Sequence, residues 1–275
     1  MKTNELHPKN LPVAALACSA SLLGMFAPQA ANSAEWSDTE VNYQYGTQFE
    51  EPFNPNEVTK HIITLQHASG YKYGSNFFFV DFLKSDGDDD NAGEVYGEWY
   101  THLSLSKTTG AKLSYGIIKD LNLTAGINYG SKNTGANPRV YLPGLTVDFD
   151  LPGFTYFGVD VLAYIDRGKF KPNAATTLDN CGGHETSYQI NPFWQLPFRL
   201  GPTKWSFEGH VDFIGNRGTC ENEILAQPQL RLDVGNFFGK PDTGYVGIEY
   251  QYWRNKFGFK DVDESVPQFF AAWKF

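Results

Sequence analysis

The stretch NFFFVDF, residues 76–82, sets four phenylalanines close to a carboxylate. In an extended strand alternate side chains share a face. Phe77, Phe79 and Asp81 would then point one way and Phe78, Val80 and Phe82 the other. Two rings beside a carboxylate can stack a planar heterocycle while the carboxylate accepts protons from hydroxyl groups. Base–aromatic stacking is worth about 1–3 kcal/mol, which suits transient binding. The competing reading is that the two rings only fill space, or that a one-residue slip turns them to the opposite side. The same alternation selects Glu98, Arg231 and Glu249 as further polar binding candidates.

Other chemistry is poorly served. The sequence contains no HExxH, no G-x-S-x-G and no phosphate-binding loop, so no catalytic residue, cofactor or metal is expected, and the chain is not read as an enzyme. SDGDDDNAGE fails as an EF-hand: counted from Asp86, position 6 is Asn91 rather than Gly and position 12 is Gly97 rather than Glu. It reads better as a solvated acidic loop. A net charge of -9 also argues against nucleic acid as a partner.

The elements that must position these residues are strands. Aromatics make up 16% of the chain, yet mean hydropathy is -0.39. No apolar run is long enough for a spanning helix, which needs about 18 or more residues. Period 2 recurs instead. In VGIEYQYW, Val246, Ile248, Tyr250 and Tyr252 alternate with Gly247, Glu249, Gln251 and Trp253. LNLTAGINY, KWSFEGHVDF and LRLDV alternate in the same way.

A soluble sandwich also alternates, but here aromatics (Trp205, Tyr129, Tyr252, Trp273) gather at the ends of the apolar faces. Such girdles belong to membrane-spanning barrels. Twelve candidate strands fall near 39–48, 58–69, 75–84, 94–106, 115–130, 139–150, 154–166, 184–195, 203–215, 223–234, 243–254 and 265–275. With both termini in the periplasm, the periplasmic connections are the short GYKYG, LPG, PFRLGPT and FFGKPDT. The outer ones, such as GKFKPNAATTLDNCGG and NKFGFKDVDE, are longer and more polar, as such barrels require. The connection near 107–114 fits least well. The terminal VPQFFAAWKF puts Phe269, Trp273 and Phe275 on one face and Gln268 and Lys274 on the other. The expected fold is an all-β, transmembrane antiparallel barrel in the bacterial outer membrane, with its lipids as partners.

Residues 1–34 read as a signal peptide and 35–275 as the barrel. Lys2 and Lys9 precede an apolar run and then APQAANSA, a leader pattern. Cys181 and Cys220 then remain in the mature chain. A disulfide is the simplest reading for an exported pair; zinc held with His184 is weaker. Closing a loop of about 40 residues is worth roughly 4 kcal/mol in the chain-entropy model. Both cysteines fall in outer loops flanking one hairpin.

VNYQYGTQFEEPFNP, HIITLQHASGYKYGSNFFFVDF, EYQYWRNKFG and the terminal FFAAWKF resemble the nucleoside-specific channel family Tsx, with its OmpK-type branch. The resemblance covers the mature chain in layout, and its recognisable words cover about a fifth of it. The resemblance implies a narrow monomeric barrel of twelve strands that passes nucleosides, and a surface used by bacteriophage. Only Phe77, Phe78, Phe79 and Asp81 carry over as residues.

The polar strand positions then define a lumen: Asn42, Gln44, Asp81, Glu98, His102, Asp160, Glu208, His210, Asp212, Arg231, Asp233, Glu249 and Gln251. A narrow barrel is largely filled by such side chains. An acidic lining disfavours anions, so nucleosides should pass better than nucleotides. A less selective porin, or a barrel serving as a surface receptor, are the competing readings.

Overall fold

The computed structural model describes residues 34–173, 175–183 and 185–275. The expected leader, apart from Ala34, and His184 lie outside the described residues. Twelve barrel strands follow the chain. They are β1 (Ala34–Phe49), β2 (Val58–Tyr71), β3 (Gly74–Ser85), β4 (Gly93–Ser104), β5 (Ile118–Lys132), β7 (Arg139–Phe149), β8 (Tyr156–Asp166), β11 (Thr186–Leu200), β12 (Thr203–Ile214), the interrupted pair β13 (Glu223–Ala226) and β14 (Gln229–Asp233), β15 (Gly244–Arg254) and β16 (Glu264–Lys274). Each pairs antiparallel with its neighbours in sequence. The sheet closes where β1 meets β16, from Glu40 opposite Lys274 to Tyr45 opposite Phe269. A closed sheet has no free edge to expose in lipid.

The alternation explains which side faces out. On β1, Val41 and Tyr43 are exposed while Glu40, Asn42 and Gln44 are buried. On β15, Val246, Ile248 and Tyr250 are exposed while Glu249 and Gln251 are buried. Phe269, Trp273 and Phe275 likewise face outward, and Gln268 faces in with no accessible surface. A soluble barrel has the reverse pattern. An apolar exterior around a polar interior is the outer-membrane arrangement.

The two ends differ. One carries both described chain ends and tight connections, among them the two-residue turns Lys72–Tyr73 between β2 and β3 and Gly201–Pro202 between β11 and β12. The segment PFRLGPT, expected as a connection, is mostly strand, because Pro197 to Leu200 keep pairing with Thr203 to Ser206. The ill-fitting 107–114 connection begins with a short helix, α1 (Leu105–Thr109), capped by Ser104 Oγ.

At the opposite end the loops fold over the mouth. There β6 (Gly135–Asn137), β9 (Lys169–Asn173) and β10 (Thr176–Asp179) form a small separate sheet. Cys181 and Cys220 are joined by a disulfide with a Cα–Cα distance of 4.8 Å. The link ties the β8–β11 loop to the β12–β13 loop. Glu221 N donates to Gly258 O at 3.0 Å, which adds the β15–β16 loop. Phe53, Phe170 and Phe259, from three loops, meet with ring centroids 4.8–5.4 Å apart.

Beneath them Glu51 pairs with Lys60, with Lys132 at 3.1 Å and with Lys256 at 3.7 Å. Burial alone would raise the Glu51 pKa, but the ammonium groups of Lys256, Lys60 and Lys132 outweigh it and hold the carboxyl well below its usual range.

Candidate functional site: the barrel lumen

The interior is built from every second residue of each strand. On β3 the register sets Phe77 opposite Ala68, Phe79 opposite Gln66 and Asp81 opposite Thr64. Phe82 stands exposed on the outer side. Phe77, Phe79 and Asp81 therefore share the lumen face. The Phe77 and Phe79 rings lie 6.2 Å apart, tilted by 49°. Phe79 also meets Tyr96 at 5.9 Å, and Thr64 Oγ1 donates to Asp81 at 2.6 Å.

Glu98 sits beside this group on β4. Tyr96 Oη donates to it, and Asn128 Nδ2 does so at 3.0 Å. Asp81 lies within electrostatic reach of both Glu98 and Glu249. Glu249 is surrounded by amides: Gln44 at 3.2 Å, Gln229 at 2.5 Å, Gln227 at 3.3 Å and Gln268 at 3.0 Å all donate to it. These donors stabilise the charged carboxylate.

Arg231 belongs to a different level, nearer the turn end. Its guanidinium binds Glu40 at 2.5 Å and Glu208 at 2.6 Å, and lies over the rings of Tyr245 and Phe270 at 4.6 and 5.3 Å. Phe77, Phe79, Asp81 and Glu98 thus gather on neighbouring strands, while Glu249 is joined through Gln229 to Arg231, which donates to Gln229 Oε1 at 3.3 Å.

The opposite wall holds Asp212, which accepts from Gln189 at 2.7 Å and Asn191 at 2.6 Å. Asp160 accepts from Thr146 at 2.5 Å, with His102 Nε2 at 3.4 Å. His102 stacks on Phe193 with centroids 6.0 Å apart. A buried apolar cluster of Tyr100, Val140, Leu142, Leu162, Tyr164 and Ile214, packed against Phe77, completes that side.

The Phe193 ring and the apolar cluster were not singled out from the sequence. Their signal was parity alone: they fall on the same strand faces as inward polar residues, Phe193 with Gln189 and Asn191 and the cluster with Glu98, Asp160 and Asp212. Among the described residues no group of three or more His, Cys, Asp or Glu is placed to hold a metal ion.

Two cavities lie toward opposite ends of the barrel. One at the turn end, lined by Gln195, Arg199, Lys204, Asp233, Tyr245 and Lys274 among others, measures about 420 Å³. The other lies under the loops, between Tyr96, Glu98, Tyr164, Gln189, Asp212 and Arg217, and holds only about 40 Å³. Arg217 fills its edge, bound to Asp166 at 2.9 Å and Glu223 at 2.8 Å.

No family model and no curated protein matches the chain. Among solved structures it is similar to the NanC porin, at 10% identity, with 87% of this chain and 100% of that chain covered and a TM-score of 0.49. The KdgM porin in complex with disordered oligogalacturonate gives 9% identity, 86% and 99% coverage and a TM-score of 0.44. The translocator domain of the autotransporter NalP from Neisseria meningitidis gives 12%, 94% and 95%, and 0.44. At such scores the likeness reaches no further than strand layout. The barrel assignment stands on the closure of the sheet and its outward apolar band.

Proposed function

We propose that the barrel is an outer-membrane channel for small uncharged polar solutes, with nucleosides as the favoured class. The turn end then faces the periplasm and the loop end the outside. One observation carries the reading: Phe77, Phe79 and Asp81 share the lumen face, with Tyr96 and Glu98 beside them. Rings and carboxylates side by side suit a solute with a planar base and a hydroxyl-bearing sugar.

Two further features support it. Asn42 Oδ1, Gln189 Oε1, Asn191 Oδ1 and Gln268 Oε1 are buried acceptors with no hydrogen-bond partner. No protein group donates to them, so they are placed to accept from a passing hydroxyl. The loops tied across the mouth also favour a selective route over general diffusion. A receptor role for the loop end rests on the resemblance alone, with the tied loop cluster as the surface it would use.

The test is nucleoside block of single-channel current in a planar bilayer. Changing both Phe77 and Phe79 to Ala removes about 1–3 kcal/mol of stacking and should weaken block roughly tenfold or more. Basal conductance should hold or rise as side-chain volume leaves. Asp81→Asn should weaken block and lower cation preference. Unchanged nucleoside affinity in the double variant would overturn the stacking role.

A further inference from the structure

Four aromatic residues of the lumen stand directly opposite a glycine on the next strand. Tyr96 pairs in register with Gly130, Tyr100 with Gly126, Phe193 with Gly158 and Phe270 with Gly247. None of these glycines has a positive φ, so backbone conformation does not require glycine there. Space does. A Cβ built on Gly126 would stand 2.7 Å from two carbons of the Tyr100 ring. One on Gly158 would stand 2.3 Å from Cζ of Phe193, with two more ring carbons within 2.9 Å. Unstrained carbon contacts lie near 3.5–4.0 Å. At Gly247 the Phe270 ring comes within 2.7 Å, but the Leu230 carbonyl is closer still at 2.2 Å. At Gly130 Pro138 is the nearer neighbour. Gly126 and Gly158 are therefore the two sites where the aromatic ring itself claims the space.

We infer that Gly126 and Gly158 are positioning residues of the pore, each seating the ring of Tyr100 or Phe193 against the barrel wall and so setting the bore. The inference rests on the channel reading. Side chains directly opposite on one face have Cβ atoms about 4.5–5.5 Å apart and normally prop each other upright. In a narrow barrel, upright means across the route of the solute. A missing side chain lets the neighbour lie over bare backbone and offer a ring face inward. The stacking of His102 on Phe193, at 28° between planes, uses such a face. A ring face is also the surface that takes a planar solute or a cation.

The experiment measures single-channel conductance and thermal stability of refolded barrels. The set is Gly126→Ala, Gly158→Ala, Tyr100→Ala, Phe193→Ala and the two matching double variants. Gly93→Ala is the control, because an added methyl there meets nothing within 4 Å. Each Gly→Ala change should lower conductance at least about twofold by pushing a ring into the route. Removing the matching ring should restore or exceed parent conductance, and the control should match the parent. Parent-like conductance in Gly126→Ala and Gly158→Ala, or a loss that ring removal does not rescue, would overturn the inference. Where a glycine variant fails to assemble, the matching double variant decides: it should assemble and conduct at least as well as the parent, and a double variant that also fails overturns the role. A parent barrel that passes no current would sink the channel reading. The seats are then judged by stability: Gly158→Ala should lower the melting temperature of the parent and leave that of Phe193→Ala unchanged, and equal losses in both would refute them.

Discussion

Glu51 shows how much one residue holds at the loop end. It is buried in contact with three lysines drawn from β2, β5 and the β15–β16 loop. Its carboxyl titrates below the unfolded value, about 4.3. A group depressed on folding gives its full stabilisation above that unfolded value and loses it as the pH falls toward the folded one. The loops over the mouth should therefore loosen in acid below about pH 4. Hydrogen exchange of amides 50–57 and 255–263 should show this step. Glu51→Gln leaves the lysines short of a partner, a change worth about 3–5 kcal/mol for a buried pair, and should loosen the same amides at neutral pH. A parent and a variant with identical exchange at pH 7 would dismiss this role. Sequence reading reached some of these residues and not others. The facing of Phe77, Phe79, Asp81 and Glu249 followed from period 2. The grouping of Lys60, Lys132 and Lys256 did not, because they meet only where the β1–β2 loop carries Glu51 in against two strands and the β15–β16 loop. The same holds for Arg231: its face was legible, but not its capture by Glu40, 191 residues away.

At the level of elements, all twelve expected strands are present, with ends displaced by a few residues. Their alternation is a local property, so it survives without knowledge of neighbours. What was missed is where tertiary constraint interrupts it. The segment 223–234 was expected as one strand, but it breaks between Ala226 and Gln229. Pro228 lies in the gap and has no N–H for the ladder. Opposite it Gly209 takes φ +147, and a Cβ there would stand 2.4 Å from Gln227 O. Gly209→Ala should cost more than about 1 kcal/mol, read as a lower melting temperature in detergent; an unchanged value would show that the bulge relaxes freely. The Cys181–Cys220 link belongs to the same scale, since it joins two loops rather than two strands. Replacing both cysteines by serine should speed exchange in the loops and leave the barrel heat-modifiable on gels. Loss of the barrel itself would mean that the link guides strand pairing.

The whole molecule is defined by an inverted solvent order, polar within and apolar without. That order was legible because the aromatic content of the outward faces has no use in water. The filling of the lumen was not legible, since it depends on which opposing side chains meet across the interior. The molecule should give a β-type circular dichroism spectrum and a mobility shift on heating in detergent; a helical spectrum would contradict the fold. The seam between β1 and β16 has a further consequence, and it concerns time. The first strand made finds one of its two partners only when the last strand appears. Until then the growing sheet has two raw edges, each a template for pairing with other chains, and its closing contact spans nearly the whole described sequence. Contacts of that separation form slowly. The chain must therefore be kept apart from its own kind until β16 pairs with β1, and a variant lacking β16 would yield not a weaker barrel but an adhesive sheet.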